Sequence, residues 1–151
     1  MDISQLIDID RVAHDFHASS KKRSLEEVSQ LLASGAPDLS AEAIFDSLIG
    51  RERLGSTGLG HGVAIPHGRL TGQEKTVGAF LRLDEAIDFD ALDGQPVDLL
   101  FALLVPEHAT DEHLEMLAQV AEMFANREFV KRLREASDAR QLFELLTHWH
   151  P

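Results

Sequence analysis

The amino-acid sequence predicts an α/β protein in which a mixed β-sheet carries helices on both faces, and three observations support this. Helical patterns alternate with strand patterns along the chain, and two helices precede most of the strands. Residues 97–105 are almost entirely apolar, as in a central strand buried on both faces. Residues 86–89, taken as a strand segment, lie too close in sequence to that strand for a helical crossover between the two, so the sheet is expected to be mixed.

Two helices are predicted before the sheet. Ser24-Leu25-Glu26-Glu27 has the spacing of a capping box, and an apolar stripe of helical periodicity follows it until Gly35. Ser40 begins the second helix, which is expected to end near Gly50. The basic run at residues 21–23 precedes the first helix, and we interpret it as a solvated helix entry.

Three strands follow in the order of the chain. Residues 63–65 predict a short buried strand that Pro66 should end. Residues 77–81 alternate between apolar and polar or small side chains, which is typical of a half-buried strand. Residues 97–105 form the central strand, and Pro106 stops it.

The C-terminal part of the chain predicts three helices. The first covers residues 111–126, with Thr110 as its cap and with Asp111 and Glu112 at the positive end of its dipole. Two shorter helices are expected at residues 128–135 and 138–147. The residues predicted to form the inner face of the first helix are Leu114, Leu117, Ala121 and Phe124.

Composition excludes several classes of protein. The chain has 151 residues, which suits a single domain over residues 1–151, and it contains no cysteine. Its formal net charge of −12 disfavours binding to nucleic acid or to anionic membranes. The longest apolar run, residues 99–105, is too short to span a bilayer, and the N-terminus lacks the pattern of a signal peptide. We therefore expect a cytoplasmic protein.

Residues 55–69, Gly-Ser-Thr-Gly-Leu-Gly-His-Gly-Val-Ala-Ile-Pro-His-Gly-Arg, are the most informative segment. Glycines at this density let the backbone pass close to a ligand or a partner. His67 follows the predicted short strand, where a neutral imidazole can act as a nucleophile, a base or a metal ligand. The segment is neither a P-loop nor a dinucleotide fingerprint. Most glycine-rich turns with a histidine are only turns, so spacing alone leaves a structural role open.

His113 is a second candidate, because it lies in the first turn of the helix that follows the central strand. Exposed N–H groups there attract anions, although a first-turn histidine is often only a solvated side chain. If His67 and His113 share an edge of the sheet, they could face each other.

Gly58-Leu59-Gly60-His61-Gly62-Val63-Ala64-Ile65-Pro66-His67-Gly68 resembles the phosphorylation signature of the fructose/mannitol-type enzyme IIA domains. These domains belong to the bacterial phosphoenolpyruvate-dependent phosphotransferase system. The resemblance covers essentially the whole chain and implies the EIIA type-2 fold. Residues 18–23 and 89–106 resemble the nitrogen-related branch, a stand-alone regulatory IIA, more than the sugar-transporting branch.

The resemblance implies roles for three residues and requires no cofactor or metal. His67 falls where the family has its phosphorylated histidine, His113 where a second histidine flanks the phosphoryl group, and Arg51 on the arginine that approaches the same site. Without the resemblance, we would interpret Arg51 as part of a surface ion pair. His61 departs from the Asn or Glu of relatives and receives no role. The second ring nitrogen of His67 needs an acceptor, for which a backbone carbonyl of this region is the candidate.

The implied function is that of a phosphoryl-accepting regulator, a phosphoryl carrier whose donor is a histidine phosphocarrier protein. Its implied targets are cytosolic partners linked to nitrogen, carbon or potassium status, such as sensor kinases or potassium transporters. Acidic residues at positions 107, 111 and 112 could pair with basic groups on the carrier (Glu107, Asp111, Glu112). One alternative is a sugar-specific enzyme IIA that passes the phosphoryl group to an enzyme IIB. A more distant one is a metal hydrolase, in which His61, His67 and His113 would converge on zinc.

Overall fold

A computed structural model describes residues 2–108 and 111–150. Its elements follow in the order of the chain. They are two 3₁₀ turns (Ile3–Gln5 and Ile9–Arg11), β1 (Val12–Phe16), α1 (Lys21–Ala33), α2 (Ala41–Glu52), β2 (Gly58–Gly60), β3 (Val63–Ala64), β4 (His67–Leu70), β5 (Val77–Ile87), β6 (Val97–Pro106), α3 (Asp111–Ala125), α4 (Arg127–Glu135) and α5 (Ala139–Thr147).

The six strands form one mixed sheet, as the sequence predicts. The strand order is β1-β5-β6-β3-β2, and β4 also pairs with β6. β1 runs parallel to β5, and β3 and β4 run parallel to β6. The β5–β6 and β2–β3 pairs are antiparallel. Strand β6 is therefore the centre of the sheet and the reference for the positions of the others.

Helices cover both faces of the sheet, and β6 divides the core between them. Its alternate side chains Leu99, Phe101 and Leu103 join a core with α3, α4 and α5. Its other alternate side chains, including Leu100 and Leu104, join a core with α1 and α2. This confirms the prediction of a strand buried on both faces. Strand β5 is also buried on both faces over most of its length, so the prediction of a half-buried strand was wrong.

Helix α1 begins one turn earlier than the capping-box pattern predicted. Ser20 is the cap, and its hydroxyl accepts a hydrogen bond from the N–H of Arg23 at 3.1 Å. Ser24 lies inside the helix and donates to the carbonyl of Lys21 at 2.7 Å. Either serine satisfies the local preference for a cap, and the structure uses the earlier one. Helix α2 begins after Ser40 as predicted but runs two residues past Gly50, to Glu52.

Helix α3 has nearly the predicted extent, and its buried face overlaps the predicted one only in part. Its buried residues are Met116, Val120, Met123 and Phe124. Leu114 is 52% exposed, and Leu117 and Ala121 are only partly buried. Phe124 is buried as predicted, and Leu117 and Ala121 pack against the core, so Leu114 is the one predicted residue that does not belong to the inner face. The buried stripe lies beside the predicted one and has the same period. The predicted cap Thr110 lies outside the described residues.

Pro66 interrupts the edge of the sheet without ending its pairing. Strand β3 stops at Ala64, and β4 resumes at His67 on the same neighbour, with His67 opposite Leu103. The carbonyl of Pro66 accepts the N–H of Leu103 at 2.9 Å, so the ladder continues across the break. The proline lacks an N–H but keeps its acceptor, which fixes His67 at the start of a paired strand.

Candidate functional site

The glycine-rich segment turns sharply between β2 and β3. Gly60 and Gly62 have φ values of 102° and 83°, and His61 between them has φ 57°. Gly62 has a φ that other residues rarely adopt, and a Cβ there would also displace the guanidinium of Arg134, so glycine is favoured at this position. The turn leads into β3, and His67 follows after Pro66.

His67 is half-buried, and its ring has a defined orientation. Its Nδ1 lies 2.9 Å from the carbonyl oxygen of Ile65. A carbonyl can only accept, so Nδ1 carries the proton and Nε2 keeps its lone pair. This confirms the expectation that a backbone carbonyl of the segment orients the imidazole.

The surroundings of His67 keep its imidazole neutral. Burial is the largest cause of its lowered pKa, and the hydrogen bond to Ile65 and the charge of Glu52 act in the opposite direction. The charges of Arg51 and Arg69 lower the pKa further. A pKa below the ordinary value of 6.5 leaves Nε2 unprotonated at neutral pH.

A cavity of about 310 Å³ opens at His67. The last turn of α2, the glycine-rich segment, the loop before β6 and helix α3 all contribute to its walls. Its lining residues are Arg51, Ser56, Thr57, Gly58, Leu59, Ile65, His67, Leu92, Leu117 and Ala121. A larger cavity of about 630 Å³ lies at α4, α5 and the C-terminal residues that follow, and it shares no residue with this one. His67 and Arg51 line the smaller cavity, so cavity volume alone does not identify the site.

Arg51 and His67 both line this cavity. It lies in the last turn of α2 and donates to the carbonyl of Gly55 at 2.8 Å. That bond leaves further N–H groups of the guanidinium available. The alternative for Arg51 was a surface ion pair with a carboxylate. Its hydrogen bond is instead to a backbone carbonyl.

His113 lies in the first turn of α3, and its Nδ1 is 2.5 Å from the hydroxyl oxygen of Thr76. Thr76 precedes β5, whose first residue pairs with Leu104 of β6, one position beyond the partner of His67. His67 and Thr76 therefore lie at the same end of β6, on opposite sides of it. His113 is not among the residues that line the cavity.

His61 has other contacts. Its Nε2 accepts a hydrogen bond from Arg127 at 2.9 Å, and its backbone carbonyl accepts one from Arg134 at 2.7 Å. Its N–H donates to the carboxylate of Asp93 at 2.9 Å. That bond is the largest cause of the lowered pKa of Asp93, and a second bond from Gln95 adds to it. His61 thus ties the glycine-rich turn to α4 and to the loop before β6.

The proposed zinc triad does not form. His61, His67 and His113 each bond to a different partner, as described above. Within residues 2–108 and 111–150, no group of three histidine or acidic side chains is arranged to hold a metal ion.

Two charged residues at the site were missed from the sequence. Glu52 is buried at the end of α2, and Lys21, interpreted as solvated, forms an ion pair with it at 2.9 Å. The signal was present in α2, where Ile44, Leu48 and Glu52 lie four residues apart on the buried face. A carboxylate on an apolar stripe indicates a specific partner.

The fold and the site define an EIIA type-2 domain, with a histidine at the start of an edge strand beside an arginine from a neighbouring helix. The family model "Phosphoenolpyruvate-dependent sugar phosphotransferase system, EIIA 2" matches residues 5–149. The chain belongs to this family.

Within the family, the chain is similar to nitrogen regulatory proteins. It is 48% identical over 144 residues to the nitrogen regulatory protein of Pseudomonas aeruginosa, covering 95% of this chain and 94% of that protein. It is 46% identical to the Escherichia coli nitrogen regulatory protein over 132 residues, 87% of this chain and 80% of that one.

Solved structures agree with this placement. The nitrogen regulatory protein IIA-Ntr of Neisseria meningitidis superimposes with a TM-score of 0.90 at 44% identity, covering 96% of this chain and 99% of that one. IIA mannitol from Escherichia coli superimposes with a TM-score of 0.76 at 20% identity, over 93% of this chain and 98% of that one, which shows a shared fold. The nitrogen-related branch is therefore favoured over the sugar-transporting branch. No helix in the described part of the chain is long and apolar enough to cross a membrane.

Proposed function

We propose that this chain accepts a phosphoryl group on Nε2 of His67 and that its phosphorylation state controls its binding to regulatory partners in the cytoplasm. The observation that carries the proposal is the hydrogen bond of 2.9 Å between Nδ1 of His67 and the carbonyl of Ile65. It leaves the lone pair on Nε2 of a residue that lines the cavity. The matching family and the nitrogen regulatory relatives support the regulatory assignment.

The transfer is a displacement at phosphorus. The lone pair of His67 Nε2 forms a P–N bond, while the P–N bond of the donor phosphohistidine breaks and its electron pair returns to the donor ring. The Nδ1 proton stays hydrogen bonded to the carbonyl of Ile65, which stabilises the positive charge that the ring gains. No metal is needed in this step. The P–N bond formed is labile, so the phosphorylated state is reversible.

Arg51 is proposed to stabilise the charge on the transferred oxygens. Its guanidinium reaches the same cavity and presents N–H donors in a geometry that suits phosphoryl oxygens. An oriented donor of this kind is worth roughly 3 kcal/mol in a site with little water. His113 is proposed to flank the phosphoryl group, and its bond to Thr76 would hold its ring in place.

The proposed donor is a histidine phosphocarrier protein, charged from phosphoenolpyruvate by an enzyme I. Members of this family work with phosphocarrier proteins. Leu59 and Leu92 line the cavity and are exposed, Leu92 to 92%, so they provide an apolar rim for a docked carrier. Acidic residues of the β6–α3 region are proposed to pair with basic groups on the carrier (Glu107, Asp111, Glu112).

The proposed targets are sensor kinases or potassium transporters linked to nitrogen, carbon or potassium status. In this scheme His67 does not pass its phosphoryl group to an enzyme IIB. If the chain instead served sugar uptake, a phosphorylated sample mixed with an enzyme IIB would lose its phosphoryl group to the IIB cysteine.

The test is phosphotransfer from phosphoenolpyruvate through enzyme I and a histidine phosphocarrier, followed by intact mass spectrometry. We expect one acid-labile phosphoryl adduct on the wild type and on His61→Ala, and none on His67→Ala. Arg51→Met should slow the transfer roughly 100-fold, whereas Arg53→Met, an exposed arginine two residues further on, should not. A wild-type chain that stays unmodified beside an active control IIA contradicts the proposal, as does an adduct that persists in His67→Ala.

A further inference from the structure

Lys21 and Glu52 form an ion pair in which the carboxylate is buried and the ammonium is partly buried. The side chain of Glu52 is 2% exposed and that of Lys21 is 18% exposed, and their charged atoms are 2.9 Å apart. Lys21 also lies over the ring of Phe89, with Nζ 4.5 Å from the ring centroid. Helix α1 thus supplies a cation to the last residue of helix α2, far from it in sequence.

Hydrogen bonds connect this carboxylate to the imidazole of His67. Both carboxylate oxygens of Glu52 accept the N–H of Thr57, at 3.2 and 3.3 Å, and one also accepts its hydroxyl. The carbonyl of Thr57 accepts the N–H of Ile65 at 3.0 Å. The carbonyl of Ile65 then accepts Nδ1 of His67 at 2.9 Å. The chain of bonds runs from Lys21 to His67 through the backbone of two residues, Thr57 and Ile65.

Stability alone does not account for a carboxylate at this position. Glu52 continues the buried stripe of Ile44 and Leu48, where an apolar side chain would extend the core without a desolvation cost. A buried ion pair is often no more stabilising than apolar residues of similar volume. The pair does provide two acceptor oxygens that an apolar residue lacks, and both are occupied by Thr57.

We infer that Glu52 is a positioning residue for His67: through Thr57 it holds the backbone of Ile65, and the carbonyl of Ile65 holds the imidazole in the tautomer with a free Nε2. Lys21 pairs with Glu52 and holds its carboxylate in place. This inference rests on the proposed phosphoryl transfer to His67. The negative charge of Glu52 also opposes the effect of Arg51 on the pKa of His67. It therefore preserves the basicity of the nucleophilic nitrogen.

The test compares Glu52→Gln with Glu42→Gln, the same change at an exposed position on the same helix. Phosphotransfer is measured against the concentration of the phosphorylated carrier, and the ring nitrogens of His67 are observed by ¹⁵N NMR. We expect Glu52→Gln to lower kcat by roughly ten- to a hundredfold with little change in KM. The NMR signals of His67 should change from one tautomer to a mixture, and Glu42→Gln should match the wild type in both measurements.

Loss of the carboxylate alone leaves Lys21 without its partner, so Glu52→Gln could fail to fold. In that case, the double variant Lys21→Met/Glu52→Gln removes both charges together, and the same fall in kcat and the same mixture of tautomers are expected. A wild-type kcat or a single wild-type tautomer in either folded variant overturns the inference. The NMR measurement needs no phosphoryl transfer, so it separates failure of this inference from failure of the proposed function.

Discussion

The contact between β4 and α2 positions the candidate site, and Gly68→Ala tests it directly. A Cβ at Gly68 would lie 2.3 Å from the hydroxyl oxygen of Ser47 and 3.2 Å from its backbone carbonyl carbon. Rotation of the hydroxyl away from the methyl group costs its hydrogen bond to the carbonyl of Arg69 at 3.0 Å, and the Cβ of Ser47, 3.0 Å from the added Cβ, stays close. The methyl group must therefore break this bond and push α2 away from β4.

The size of the effect follows from these distances. Overpacking by one methyl group costs about 1–3 kcal/mol, and loss of the Ser47 hydrogen bond costs about 1 kcal/mol. Reduced entropy of the unfolded chain returns about 0.4–1 kcal/mol. The net loss of unfolding free energy is about 2 kcal/mol, which corresponds to a fall in Tm of about 4–8 °C for a chain of this size.

Thermal unfolding of three variants completes the design. Gly50→Ala is the matched control, because nothing lies within 4 Å of its added Cβ inside α2, and it should raise the unfolding free energy by about 0.5–1 kcal/mol. Ser47→Ala/Gly68→Ala removes the clashing hydroxyl and should recover part of the loss. A Gly68→Ala protein that melts at or above the wild-type Tm would refute the described contact.

Two further predictions concern stability. The pKa of His67 lies below its ordinary 6.5 in the folded protein, so between these two values only the unfolded chain binds the proton, and stability falls as the pH drops through that window. Urea unfolding at pH 7.5 and pH 5.5 should show that His67→Gln loses less unfolding free energy than the wild type as the pH is lowered. Equal losses in the two proteins would contradict the lowered pKa. Arg82 is buried and donates to the carbonyls of Leu133 and Ala136 at 2.9 and 2.7 Å, so Arg82→Met should cost about 2–4 kcal/mol in urea unfolding. Arg140→Met, which removes an exposed pair, should change the unfolding free energy by less than about 0.5 kcal/mol, and similar losses in both variants would exclude the buried role of Arg82.

Local patterns predicted the sheet and its helices where one interpretation was available. The apolar run of β6 favours a buried strand, and the structure places it at the centre of the sheet. Patterns failed where two choices satisfy the same rule. Ser20 and Ser24 can each cap α1, and α3 carries two adjacent apolar stripes. Only the packing of each helix on the sheet decides between such choices.

The residues of the site were also predicted or missed according to whether a local pattern marks them. His67 and Arg51 were predicted because a local motif and a family resemblance mark their positions, and the structure brings both to one cavity. Glu52 and Lys21 were missed because their significance depends on a contact between two helices. A basic residue at a helix entry is normally solvated, and only the folded chain shows that Lys21 meets a buried carboxylate.

That ion pair also resolves an electrostatic difficulty of the proposed site. A phosphoryl group brings about two negative charges to His67, in a chain whose formal net charge is already −12. Glu52 alone would repel that group through the poorly screened interior. Lys21 offsets the charge of Glu52 at 2.9 Å, so the carboxylate can orient the backbone of Ile65 through Thr57 while Arg51 remains available to the phosphoryl oxygens. The partly buried cation thus allows one site to contain both an anionic positioning residue and an anionic product.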